Sequence, residues 1–325
     1  MATQDGQYLV LRATDTEPAT PVGLEQRTTG LRRAALVGRD AGAVHAGLAL
    51  CEMDHDGRVA RHLHSAEQSF YVLSGSPTLI VQGRPHLLAP DACGLLPVGV
   101  EHAWRNDSGA PAHWLEVNAP VARVAGPPDT FWTGDVGSAS PAASAQLDIR
   151  DPRSRTFFRL DPGQMDVDQL KLGAAADAPT VSASMATALL AYSGIAVKML
   201  VDQRLGAVLH TMFMVEYQPG GVAQPHDHPL EEIYHILDGE VQATAGDQAF
   251  TLRPGDTFWT GVGCVHSFHN RGPGRVRWLE TQSPQPPANH SYRFNRDWEY
   301  LAARLADAQS ATEPAPSPDA AGGRA

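Results

Sequence analysis

Apolar residues recur along much of the chain at two-residue intervals, in runs of four to ten broken by glycine, proline, asparagine and aspartate. In the first half this pattern predicts strands over residues 44–53, 70–73, 78–81 and 113–118, with turns at Ser74-Gly75 and Gly83-Arg84. In the second half it predicts strands over 195–200, 208–217 and 275–282, and a hairpin of 240–245 with 248–252 across Gly246-Asp247. Residues 7–12 also read as a strand, and 14–21 as loop. Helical periodicity is confined to the stretch between the halves, where 163–172 fits a short helix and 185–192 is apolar without a clear period. Pro127-Pro128 and the Ala/Ser-rich 138–145 read as exposed loop. The aromatic stretch 291–305 predicts a segment that packs back onto the body, and 308–325 a disordered tail. Strands and turns at this density predict an all-β protein of jelly-roll type.

The two halves are copies. His62, His64, Gly75, Pro90, Gly99, His102 and Asn106 recur as His226, His228, Gly239, Pro254, Gly263, His266 and Asn270, each pair 164 residues apart (226 − 62, 266 − 102). Trp114-Leu115-Glu116 and Trp278-Leu279-Glu280 keep the same offset, so the register runs without a gap and indicates an internal duplication. The hexapeptide 129–134 (DTFWTG) also reappears, at 256–261, but the offset is 127 and lies outside that register.

Within each copy the histidines carry the candidate chemistry. On a strand, residues two apart share a face, so His226 and His228 point the same way. His266 adds a third imidazole from another strand, and Glu232 a carboxylate. Three imidazoles and one carboxylate suit a divalent transition metal. In the first copy His62, His64 and His102 remain, but the carboxylate position is Gln68. Glu67 is one residue early, which on a strand points it out of the barrel, as Glu231 points in the other copy. Strand parity also places Gln224 and Tyr234 beside the second set, as candidate catalytic groups at a small-molecule pocket. The remaining histidines have no partner at ligand spacing, and Cys264 reads as a buried, inert thiol.

The spacing G-x5-HxH-x3,4-E-x6-G followed by G-x5-PxG-x2-H-x3-N resembles the two motifs of the cupin family. Pro225–Gly239 fits the first, and Gly255 and Gly261–Asn270 fit the second with Gly261 in place of its proline. Two copies make the resemblance one to a bicupin. It implies two tandem cupin barrels (jelly-roll, double-stranded β-helix) joined by a partly helical linker and followed by a disordered tail. The boundaries implied are a 1–40 extension, barrels at 41–120 and 195–283, a linker at 121–194, a packing segment at 284–307 and the tail at 308–325. It also implies metal ligands His226, His228, Glu232 and His266, and His62, His64, Gln68 and His102 in the altered first site. Iron is the preferred metal, with Mn, Ni, Co or Zn compatible. The resemblance includes dioxygenases on aromatic or enolic substrates, so the leading expectation is a dioxygenase-type oxidoreductase with its active metal in the second barrel. A redox-neutral decarboxylase, isomerase, lyase or hydrolase is the alternative, and a non-catalytic ligand-binding cupin the third. No arginine is in phase with the ligands to grip a carboxylate.

Composition narrows the partners. A formal net charge of −11, with no basic block, argues against nucleic acid and anionic membrane surfaces and leaves a small molecule as the expected partner. A homodimer is compatible with this reading. Two lysines against 23 arginines point to a GC-rich, bacterial source. The scattered Cys51, Cys93 and Cys264, and a first stretch without a signal-type apolar core, lead us to expect a cytoplasmic protein without disulfides.

Overall fold

The protein is represented by a computed structural model that describes residues 3–4, 7–122, 129–136, 157–160, 165, 193–286, 293–294 and 306. The expectations for 138–145, 163–172, 185–192, 291–305 and 308–325 lie almost wholly outside these residues. Among the described residues no helix is long and apolar enough to cross a membrane.

The described chain is all-β. Two short strands, β1 (Thr3–Gln4) and β2 (Tyr8–Leu11), precede the first barrel. That barrel comprises β3 (Thr28–Val37), β4 (Gly47–His64), β5 (Glu67–Ser74), β6 (Thr78–Val81), β7 (Arg84–Leu87), β8 (Ala92–Leu96), β9 (His102–Arg105), β10 (Ala112–Ala119) and β11 (Thr130–Gly134). After β12 (Phe157–Arg159) comes the second barrel. It comprises β13 (Ile195–Val201), β14 (Thr211–Tyr217), β15 (Val222–Asp227), β16 (Glu231–Asp238), β17 (Val241–Ala245), β18 (Gln248–Leu252), β19 (Thr257–Thr260), β20 (His266–His269), β21 (Val276–Ser283) and β22 (Arg293–Phe294).

The second barrel is two sheets, ordered β19-β16-β21-β14-β13 and β18-β17-β20-β15-β22. The first barrel repeats both orders, as β8-β5-β10-β4-β3 and β7-β6-β9-β4-β11, with the long β4 shared between them. Where β14 and β15 are separate strands, β4 bends instead, at Asp56 (φ 60°) and Gly57. A Cβ on Gly57 would meet the Asp54 carbonyl oxygen at 2.8 Å as well as the Met53 side chain, so the bend favours glycine. The strand β3 lies in the stretch read from sequence as an extension. It pairs with β4 and corresponds to β13 at the offset of 164 (195 − 31), so the repeat reaches further upstream than the motifs do.

Three apolar cores result. One fills each barrel, around Phe70 and Trp104 or around Tyr234 and Trp278. The third lies between the barrels, where Tyr71, Leu115 and Val117 meet Met214, Ile233 and Leu279. Strands β5 and β16 are therefore buried on both faces, which is why apolar runs replace alternation there. Each barrel also takes an outside strand on this sheet: β2 pairs with β19 of the second barrel, and β12 with β8 of the first.

The carboxylates expected to face outward tie the barrels together. Glu67 accepts hydrogen bonds from the backbone N–H of Val208 (2.7 Å) and Leu209 (2.9 Å) and pairs with His210 Nδ1 (3.1 Å). Glu231 returns the contact, accepting from the N–H of Val44 (2.9 Å) and His45 (3.0 Å). The partners are again 164 residues apart (231 − 67, 208 − 44), so the interface is a pseudo-twofold exchange of loop caps. Both carboxylates are buried, as is His210, which also bonds Ser69 Oγ (2.8 Å).

His235, on the outer face of β16, bonds Thr257 Oγ1, and burial pushes its pKa down to about 4. The unfolded chain then binds one more proton than the folded one between pH 4 and 6.5, so this contribution is complete above pH 6.5 and is lost as pH falls toward 4. The gap between about 4 and the ordinary imidazole value is worth about 3 kcal/mol. Urea titrations over that range should show a shallower pH dependence for His235→Phe than for the parent. Identical slopes would assign the acid sensitivity elsewhere.

Candidate metal centres

In the first barrel, His62 and His64 sit two apart on β4, and His102 opens β9 directly opposite His62. In the second, His226 and His228 lie at the end of β15 and just beyond it, with His266 opposite His226. The turn before the third histidine docks on the HxH strand. Gly99 N–H donates to the His64 carbonyl and Gly263 N–H to that of His228, both at 2.9 Å and both with φ of +76°, which favours glycine. Asn106 and Asn270 lie at the opposite end of the third-histidine strand. Each side-chain amide donates to three backbone carbonyls, which explains the motif asparagine as structural.

The two triads superpose in kind. Ring centroids of His62–His102 and His226–His266 are 4.2 and 4.4 Å apart, and in each triad one nitrogen per ring lies within 4.8 Å of the others. The outward nitrogens are occupied. His62 Nδ1 donates to Ala60 O (2.7 Å), His102 Nδ1 to Val100 O (3.0 Å), His226 Nδ1 to Gln224 O (2.6 Å) and His266 Nδ1 to Cys264 O (2.9 Å). These bonds assign the proton to Nδ1 and leave the Nε2 lone pairs facing inward. Burial lowers the pKa of His62, His64, His102 and His226, to about 4 for His64 and about 3 for His226, and the neighbouring imidazoles of the last three add to it. All four rings are therefore neutral near pH 7, as metal ligation requires.

The fourth positions differ. Gln68 Nε2 donates to Asn118 Oδ1 (3.1 Å), which leaves Gln68 Oε1 buried without a partner, as is His102 Nε2. Two orphaned buried acceptors and two further imidazoles are a donor set that fits a cation. Glu232 instead lies 3.3 Å from His228 Nε2 and 3.2 Å from His266 Nε2. It accepts from Gln282 Nε2 (2.7 Å) and from the Tyr234 hydroxyl (2.5 Å), which is also 2.8 Å from His266 Nε2. Burial pushes this carboxyl up, but the facing imidazoles and hydrogen bonds outweigh it and the net shift is downward. Glu232 thus sets an anionic oxygen against two of the three imidazoles of the second triad.

The cavities are unequal. His62 and His64 of the first triad line a cavity of about 560 Å³, together with Arg33, Gln68, Trp104, Glu116 and Trp132 among others. Among the described residues, the space beside the second triad is about 30 Å³. There Tyr234 stacks on Phe258 (5.4 Å) and Tyr217 and Phe268 crowd Trp278 (4.5 and 5.2 Å).

Two sequence expectations need correction. Gln224 does not share the face of His226: a bulge between Ala223 and His226 makes Ala223 the inward residue, and only the Gln224 carbonyl serves the site. The matching bulge between Val59 and His62 turns Val59 into the first cavity. An arginine does line a site: Arg33, on β3, beyond the reach of motif parity. Extending the 164-residue register upstream would have revealed β3, though not the direction of Arg33. Tyr234 is where parity placed it, but packed as core.

Comparison with known proteins agrees with this architecture. The cupin domain model matches the chain twice, at residues 49–118 and 213–281. The chain is a bicupin. A germin-like protein of Arabidopsis thaliana (subfamily 2 member 2) is 31% identical over 83 residues, which is 24% of the bicupin and 38% of that relative's length. Among solved structures, salicylate 1,2-dioxygenase of Pseudoaminobacter salicylatoxidans in complex with gentisate is similar at a TM-score of 0.63 and 14% identity, covering 95% of this chain and 86% of that one. A putative glyoxylate-induced protein of Pseudomonas aeruginosa gives 0.61 and 17%, covering 91% and 94%. Oxalate decarboxylase of Bacillus subtilis gives 0.59 and 12%, covering 94% and 84%. At these identities the likeness is one of fold.

Proposed function

We propose that this bicupin is a metal-dependent enzyme acting on a small molecule, a dioxygenase-type oxidoreductase, with its substrate chamber in the first barrel. The motif pattern alone led us to expect the second barrel. The observation that carries the revised reading is the 560 Å³ cavity on the first triad, of the size that small-molecule sites have, against 30 Å³ on the second. The similarity of fold to a dioxygenase bound to gentisate supports the reaction class.

His62, His64 and His102 would hold a divalent metal, with Gln68 Oε1 as the fourth donor; iron is preferred, and Mn, Ni, Co or Zn suit the same donors. When bound, such a metal supplies polarisation or electron transfer at its open positions. The chain's own groups fix the rest. Thr130 Oγ1 bonds His64 Nδ1 (3.0 Å) and Trp132 packs on His62 (5.1 Å), so β11 orients two of the three rings. In the second barrel His226, His228, Glu232 and His266 would hold a closed, structural metal, with Tyr234 positioning Glu232 and His266 rather than meeting substrate.

Protein purified without added metal should contain a transition metal by elemental analysis, identified by electron paramagnetic resonance. It should consume O2 with hydroxylated aromatic or enolic substrates. Metal-dependent CO2 release without O2 uptake would replace the proposal by the decarboxylase alternative; no turnover with tight ligand binding would replace it by a binding protein. Gln68→Glu should raise metal affinity of the first site and Glu232→Gln lower that of the second. Unchanged stoichiometry and affinity in both would show that neither position faces a metal.

A further inference from the structure

We propose that residues 13–27 form a strap, tethered to the second barrel, that opens and closes a side entrance to the first-barrel chamber. The proposal rests on the proposed function's placing of the chamber in this barrel. Strands β3 and β11 both pair with the long strand β4, β3 along residues 48–53 and 58–59 and β11 along 61–64. Each ends its sheet, and among the described residues no ladder joins the two. Residues from both strands line the cavity of about 560 Å³: Leu31, Arg33, Ala35 and Val37 on one rim, Thr130 and Trp132 on the other. The barrel thus has a lateral seam between these rims.

The strap lies across that seam. On the β3 side, Ala19 N–H donates to Arg33 O (3.2 Å) and Arg33 N–H to Ala19 O (2.8 Å). On the β11 side, Arg27 Cζ lies 5.8 Å from the centre of the Trp132 ring, and the Arg27 carbonyl accepts from Ala60 N–H of β4 (2.8 Å). Between these ties Pro21, Val22 and Leu24 line the cavity. Here the turn is closed by its own bonds: Leu24 N–H to Pro21 O (3.2 Å), Arg27 N–H to Leu24 O (2.8 Å) and Gly23 N–H to Glu25 Oε1 (3.0 Å). Val22 is 82% exposed, so this apolar side chain sits at the mouth with little packing. A cover held by local bonds and little buried apolar surface opens at low cost.

The tether lies in the other barrel. Strand β2 pairs with β19, and just past this ladder Arg12 Nη1 donates to Asp256 Oδ2 (2.7 Å) and to the Thr251 carbonyl (2.6 Å). Ala13 N–H donates to Asp256 Oδ1 (3.0 Å), and Asp256 is buried. The first barrel has Ala92 at this position (256 − 92 = 164). The same turn forms in both copies, from Ala92 N–H to Ala89 O and from Asp256 N–H to Arg253 O, both at 2.9 Å. The turn therefore does not need the carboxylate. Its added bonds go to the segment that crosses from the second barrel to the first chamber, and they fix the point from which the strap swings.

The test is a rate. Protein loaded with Co(II), whose visible spectrum reports on its ligands, is mixed under nitrogen in a stopped-flow with 1,2-dihydroxybenzene, and separately with azide as a small control. The first probe is a chelator larger than the space of about 30 Å³ in the second barrel, and loss of its signal in His62→Ala identifies the first-barrel metal. In the parent its observed rate should level off at high concentration, at the opening rate of the strap, while azide binds with a linear dependence. Arg12→Gln should raise association and dissociation together, each by at least about 10-fold, the worth of a charge-assisted bond, with affinity kept within about 2-fold. Asp256→Asn breaks the same tether from the other side and should do likewise. A gate moves both rates, whereas a damaged site moves affinity. A linear dependence for dihydroxybenzene in the parent, a comparison needing no variant, would overturn the strap and spare the proposed function. So would parental rates in both variants, or a loss of affinity with no rise in association. No binding of either probe at the first-barrel metal would overturn the chamber itself, and the strap with it.

Discussion

His62→Ala is expected to abolish turnover, while His226→Ala keeps most of it. The contrast follows from cavity volume rather than from ligand completeness. The second site has the fuller donor set, with Glu232 beside two of its imidazoles, yet only about 30 Å³ beside it. Removing His62 takes a donor from the site that opens on about 560 Å³. The loss should exceed the roughly 10–100-fold typical of an outer-shell partner of a metal site, because a direct donor is lost. His226→Ala should instead lower metal content by the second ion and reduce thermal stability. Steady-state rates and metal content of both variants, with circular dichroism to show folding, make the comparison. If His226→Ala is inactive and His62→Ala active, the reaction belongs to the second barrel and Tyr234 regains its candidacy as acid or base.

Glu67→Ala should destabilise the whole protein more than any surface change. Its buried carboxylate satisfies two backbone N–H groups and the buried His210 from the other barrel. Truncation strands these donors, at about 1–3 kcal/mol each, so a total of about 3–5 kcal/mol is expected after partial relaxation. Glu231→Ala removes two bonds to Val44 and His45 and should cost somewhat less. Urea denaturation of the two variants checks the order. A midpoint for Glu67→Ala within error of the parent would mean that the caps are solvated and do not hold the interface.

Much of this protein was written in local pattern. Strand parity, a property of two-residue periodicity, put His62 with His64 and His226 with His228, and turned Glu67 and Glu231 away from the metal centres. The 164-residue register established the duplication, and the difference between Gln68 and Glu232 showed that the two sites are unequal. Parity fails where a bulge inserts a residue, as between Val59 and His62 and between Ala223 and His226, because the bulge depends on pairing with another strand. For that reason Gln224 was misplaced. Which site is open could not be read at all: volume is the remainder after every long-range contact is made, and here it turns on the ring packing around Trp278 in the second barrel. The interface was equally hidden. An outward glutamate on one strand reads as solvated until a loop 141 residues away (208 − 67) arrives to be capped by it.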